Sequence, residues 1–145
     1  MPGKTKVHAF NRSGVRLDKS LGDAAGMQRL GAHLVSVMPG YFSSEFHHHH
    51  FAEECVYVLA GEGRAHIGER IVALAPGDFV GYPANGVAHA IEATGSGPLV
   101  CLVVGERLAQ DVIDYPRAGK RLVRDDAEGL LVARTLTADS GTRDR

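Results

Sequence analysis

The feature that most constrains this chain is its punctuation. Between Leu34 and Val104, short β-branched and aromatic runs are repeatedly cut by Gly, Pro, Asn and Asp. Leu34-Val35-Ser36-Val37-Met38 ends at Pro39-Gly40, and Cys55-Val56-Tyr57-Val58-Leu59 ends at Ala60-Gly61-Glu62-Gly63. Arg64–Gly68 and Ile71–Leu74 flank the turn Gly68-Glu69-Arg70. Ala75-Pro76-Gly77-Asp78 then feeds Phe79–Tyr82, and Pro83-Ala84-Asn85-Gly86 feeds Val87–Glu92. Thr94–Pro98 leads into the unbroken apolar run Leu99–Val104, as expected of a strand covered on both faces. Strand, turn, strand at this cadence predicts an all-β sandwich or barrel.

The flanks differ. Residues 1–33 show no helical period and are expected to form an arm or edge strand ahead of a barrel core at 34–104. In 105–136, Arg107-Leu108-Ala109-Gln110-Asp111-Val112-Ile113 could form one or two helical turns, a cover segment completing the same domain, with a β-like piece at Gly129–Ala133. The polar stretch 137–145 is expected to be disordered.

At 145 residues the chain is long enough for one domain with a real core. Sixteen Lys and Arg against seventeen Asp and Glu leave no broad basic field for nucleic acid or an anionic membrane. A small molecule is the expected partner. The two cysteines, Cys55 and Cys101, both lie in apolar runs and are expected to be buried thiols in a reducing cytoplasm. No apolar run has the length of a membrane span, and Met1–Val7 lacks the apolar centre of a signal peptide, so a cytoplasmic location is expected.

The chemistry concentrates in Phe46-His47-His48-His49-His50-Phe51-Ala52-Glu53-Glu54. Imidazoles and carboxylates together suit one divalent transition metal ion, Zn, Fe, Ni, Mn or Co. Residues two apart in a strand share a face, so His47 and His49 form one pair and His48 and His50 the other. Parity alone does not say which pair Glu54 joins, because a bend at Phe51–Glu53 intervenes. A fourth ligand must come from elsewhere, and His89, opening a strand after the Pro83–Gly86 turn, is the candidate. The competing reading is a solvated polar loop with an incidental histidine on a strand.

His-x-His, a short gap, Glu54 and Gly61, followed by Gly77, Pro83 and His89, resemble the two motifs of the cupin superfamily. Gly40 lies further from the histidines than that pattern expects, one extra residue separates Pro83 from His89, and Ala93 stands where an Asn is common. None of these departures removes a ligand. The 111–120 segment, Asp111 to Lys120, also looks like the tail of small bacterial single-domain cupins. The resemblance implies a small jelly-roll barrel whose metal is held by His47, His49, Glu54 and His89, with His48 and His50 as the alternative pair. It also implies a homodimer.

If Glu54 points at the metal, Val56 and Val58 should line the interior beside it, and Tyr57, of opposite parity, should pack in a core. Phe79, Tyr82, Ile91 and His66 are further lining candidates, with Phe42 and Phe46 at the mouth. Such a site can polarise a carbonyl or stabilise an enediolate, with Glu54 as catalytic proton acceptor. The expected function is metal-dependent chemistry of the dioxygenase, isomerase or lyase type on a small organic or sugar-derived molecule. The alternative is a non-catalytic small-molecule-binding or sensory module whose metal is structural or anchors the ligand.

Overall fold

A computed structural model describes residues 2–136, and it is almost entirely β. The first layer is a six-stranded sheet. Its strands are β1 (Lys4–His8), β2 (Asn11–Ser20), β3 (Leu30–Val37), β10 (Leu99–Glu106), β5 (Glu54–Ala60) and β8 (Phe79–Tyr82), adjacent in that order. Facing it are two smaller sheets. One runs β7 (Arg70–Leu74), β6 (Gly63–Ile67), β9 (His89–Ala93); the other runs β13 (Leu130–Thr135), β12 (Lys120–Asp125), β11 (Gln110–Tyr115), β4 (His48–His49). A single turn of helix, α1 (Leu21–Ala24), capped by the Ser20 hydroxyl accepting from the Asp23 amide, links β2 to β3.

The segment 41–49 joins the two small sheets. It bonds first along β9, through Ala93 N–H to the Tyr41 carbonyl and Ser43 N–H to the Ile91 carbonyl, and then through a reciprocal pair between His47 and His89. At His48–His49 it changes partner and pairs with β11. The result is a jelly-roll sandwich closed around its core.

Strand alternation decides what the layers bury. Val35, Val37, Val56, Val58, Leu99 and Cys101 of the large sheet meet Ala65, Leu74, Ile91 and Ala93 of the opposing strands. Strand β10 is paired with β3 on one edge and β5 on the other, but its burial alternates, with Leu99 and Cys101 buried and Val100 and Leu102 only partly so, so the apolar run is not covered on both faces as the sequence suggests. Tyr57 does not join the core: it shares the outer face of β5 with Leu59 and is 43% exposed. Phe46 and Phe42 do not form a mouth but pack with Ala88 and Ala90 in a second small cluster.

The flanks are more regular than the sequence suggests. Residues 4–20 form a hairpin whose second strand extends the sheet beside β3. The expected helical or irregular cover is instead a three-stranded meander, and the Arg107–Ile113 stretch enters β11 rather than helical turns. Asp111, Ile113 and Tyr115 share one buried face of that strand. The period of two is there, but an aspartate in an inward position hides it. The tail at 137–145 lies outside the described residues.

Candidate metal centre

Three of the four predicted ligands, His47, His49 and Glu54, converge, and His89 stands against His47. His47 and His89 sit opposite one another because their backbones exchange hydrogen bonds of 3.0 and 2.8 Å. His49 follows in β4, where the Asn85 amide, at a positive φ in the Pro83–Gly86 turn, donates to its carbonyl at 2.7 Å. That bond ties the turn preceding His89 to the histidine strand. Glu54 opens β5 on the same face as Val56 and Val58.

Ligand atoms of His47, His49 and Glu54 all lie within 4.8 Å of one another. His49 Nε2 is 3.5 Å from a Glu54 carboxylate oxygen, and the His89 ring centroid is 4.7 Å from that of His47. Every one of the three Nδ1 atoms is already engaged. His47 Nδ1 faces the Glu45 carbonyl at 2.7 Å, His49 Nδ1 faces Asp111 Oδ2 at 2.7 Å, and His89 Nδ1 faces the Val87 carbonyl at 3.3 Å. A carbonyl or carboxylate only accepts, so in each neutral ring the proton sits on Nδ1 and the Nε2 lone pair is free. His89 Nε2 is buried with no hydrogen-bond partner. This tautomer, held by outer partners, is the one a metal-ligating imidazole needs.

Electrostatics favours the same state. Burial, reinforced by His89 and His49, holds His47 well below the usual imidazole range, and burial brings His89 down to about 3. Both rings are therefore neutral at pH 7. Burial pushes the Glu54 carboxyl up, opposed by the positive fields of His49, Arg16 and His33.

These groups face a cavity of about 360 Å³. Of the expected lining residues, Val56, Tyr82 and Ile91 border it, and the Tyr82 ring stacks on His89 at 3.4 Å and 4°. Val58 is sealed in the core instead. His66 stands away from the cavity, against Phe42 and 3.5 Å from Glu92. Phe79 is 66% exposed: it lies three positions before inward-facing Tyr82, and an odd offset in a strand reverses the face.

The family model of the cupin domain matches residues 33–105. The chain belongs to the cupin superfamily. Similar solved structures include a candidate sugar phosphate isomerase from Acidithiobacillus ferrooxidans, 47% identical, TM-score 0.90, covering 93% of this chain and 85% of its own. A cupin-superfamily sugar phosphate isomerase from Silicibacter pomeroyi is 27% identical, with TM-score 0.81 and coverage of 95% and 91%. A predicted oxalate decarboxylase from Thermotoga maritima is 25% identical, with TM-score 0.63 and coverage of 74% and 94%. No protein with a curated description matches significantly.

Two features of this cupin's centre were not legible in its sequence. Asp111 is fully buried and accepts from His49 Nδ1 and from the Phe51 and Val112 amides, so it fixes both the ring and the bend after His50. Burial raises its proton affinity, but these bonds and the His49 charge outweigh that and hold it below the usual carboxylate range. The second feature is the fate of His48 and His50. His48 is buried and His50 half-buried, and both turn to Asp114 rather than to the first centre. Their rings stack 5.1 Å apart beside Asp114, with His50 Nε2 at 2.8 Å and His48 Nε2 at 3.6 Å from its Oδ2. Three ligand-type groups do converge there. However, Arg121 already engages both Asp114 oxygens, at 2.7 and 2.9 Å, and supplies the positive charge a cation would bring.

Proposed function

We propose that this cupin is a metal-dependent enzyme of the isomerase type, moving a proton within a small sugar-derived molecule. The observation that carries the reading is the trio of imidazoles whose Nδ1 atoms are all spent on acceptors, leaving three Nε2 lone pairs at an open cavity where ligand atoms of His47, His49 and Glu54 converge. The two relatives covering more than nine tenths of the chain, both described in terms of sugar phosphate isomerisation, support the reaction type.

His47, His49, Glu54 and His89 would hold one divalent transition metal, which when bound supplies Lewis-acid polarisation of a substrate oxygen. His47 and His89 contribute fixed, neutral rings. Glu54, with its proton affinity raised by burial, is the group suited to accept a proton and return it. Burial pushes the Tyr115 phenol at the cavity wall up to about 12, so it stays protonated and able to donate. Val56 and Ile91 keep that wall apolar, limiting water around the moving proton.

Elemental analysis of protein purified without chelators should find about one transition metal per chain, and its absence would remove the proposal. Glu54→Gln should abolish aldose–ketose interconversion. Unchanged turnover would exclude the proton-transfer role. Binding without turnover by the wild type, across sugar and organic substrate classes, would favour the binding-module reading.

Two further expectations belong with this reading. Among the described residues no helix is long and apolar enough to cross a membrane, and both cysteines are free thiols, which supports residence in the reducing cytoplasm. Tyr57 and Phe79 are register partners on the outer face of the large sheet, and their exposure supports a homodimer packed through that face.

A further inference from the structure

We infer that the cavity contains a separate anchor for a phosphate group, built by Arg16, His33 and Arg107 around Gly31. The inference rests on the reading of this cavity as a substrate site, and it names the class: a phosphate monoester, gripped away from the histidines.

The construction starts behind the wall. Asp18, its side chain 1% exposed, accepts from His33 Nδ1 at 2.7 Å and pairs with Arg16 Nε at 3.2 Å and Lys6 Nζ at 3.3 Å. Arg16 and His33 border the cavity and Asp18 does not, so the buried carboxylate orients a guanidinium and an imidazole toward the space in front. One carboxylate does not neutralise Lys6 and Arg16 together, which leaves net positive charge on this wall; Glu106 also borders the cavity, its carboxylate accepting from the Glu53 amide at 2.9 Å. With Nδ1 committed to Asp18, His33 has Nε2 left to offer. Arg107 is pinned through Nη1 alone, to Asp23 at 2.6 Å and to the Met27 carbonyl at 3.3 Å.

Gly31 supplies the space. A Cβ there would lie 3.3 Å from His33 Nε2 and 3.3 Å from Arg107 Nε. The Arg107 Nε donor and His33 Nε2, which donates only when the ring carries both protons, therefore converge over a position that carries no side chain, at the cavity wall. Arg124 adds a further guanidinium to the same cavity, steadied by the Leu108 carbonyl at 3.1 Å. Arg16, Arg107 and Arg124 all come from outside the 33–105 stretch matched by the family model. The general cupin core thus supplies most of the metal-type centre, and the flanks supply the cations.

The donor arrangement distinguishes among anions. A carboxylate is planar and is best met by the fork of one arginine, two parallel bonds from a single guanidinium. Here the donors come from separate residues spread around a notch, which suits a tetrahedral dianion with three terminal oxygens.

Titration calorimetry with inorganic phosphate, on the protein as purified and again after chelation, tests this. Phosphate should bind in both states, and acetate about tenfold or more weakly. Arg107→Gln and Arg16→Gln should each weaken phosphate binding by about tenfold, the equivalent of one charge-assisted bond. Gly31→Ala fills the notch without removing a charge, at a position whose backbone tolerates alanine, and should weaken binding similarly. Equal affinity in all three variants overturns the inference, as does acetate binding as tightly as phosphate. Binding that vanishes on chelation and ignores the arginines places the anion at the metal, overturning this inference while leaving the metal reading intact. Arginine-dependent binding by protein that, purified without chelators, already carries no metal upholds the anchor and sinks the proposed function instead.

Discussion

His49 presents Nε2 to Glu54 because Asp111 occupies its Nδ1 at 2.7 Å. Asp111→Asn keeps the shape but removes the charge that fixes the tautomer, so metal affinity should drop about 10- to 100-fold. Competition with a chromophoric chelator measures this, and an unchanged affinity would show that the ring is held by other means. The inward set of Glu54, Val56 and Val58 follows from the period of two and could be read in advance, as could the separation of His47 and His49 from His48 and His50. Asp111 and Asp114 could not. An acidic side chain in a strand is ordinarily counted as outward, and only tertiary pairing with His49, His50 and Arg121 makes these two buried.

At the scale of elements, turn chemistry was the most legible part of the sequence. Gly61 closes β5 with φ of +82°, and a Cβ there would run into the Pro98 carbonyl and lie 2.9 Å from Leu99 Cα. Both the backbone region and the space demand glycine. Gly61→Ala should therefore cost about 1–3 kcal/mol from strain alone, more once the clash is included, read as a lower urea midpoint. A midpoint within error of wild type would mean the turn relaxes freely. The strands between such turns fell where β-branched runs predicted them. After Gly105 the β-like piece at 129–133 falls within β13, but β11 and β12 did not announce themselves, β12 because it is a half-buried, charge-rich strand whose pairing rather than composition makes it β.

For the molecule as a whole, the buried imidazoles couple folding to pH. His89 stays neutral in the fold until about pH 3, whereas in the unfolded chain it takes up a proton near its ordinary value of 6.5. Between those limits the unfolded state binds more protons, so stability rises with pH and is lost on acidification, by up to about 1.4 kcal/mol per pH unit for this ring. His47, also held low mainly by burial, acts with the same sign. Glu54, pushed upward, acts in the opposite sense, only above its ordinary value of 4.5. The urea midpoint of metal-free protein should accordingly fall as pH is lowered from 7 toward 5, and a flat profile would contradict the burial of these rings. Phe79→Asp should yield a monomer by light scattering while leaving metal content intact, since the substitution lies on the sheet face opposite the cavity. A persistent dimer would place the contact elsewhere. One further consequence follows from the segment 41–49, which leaves β9 and joins β11 at the point where His47, His49 and His89 meet. Without an ion, the smaller layer is two leaves sharing a short hinge, and breathing should begin there. A bound cation would latch the leaves together, so loading should slow amide exchange at His47 and His89 far more than at Val35 or Leu99, deep in the opposite half of the sandwich.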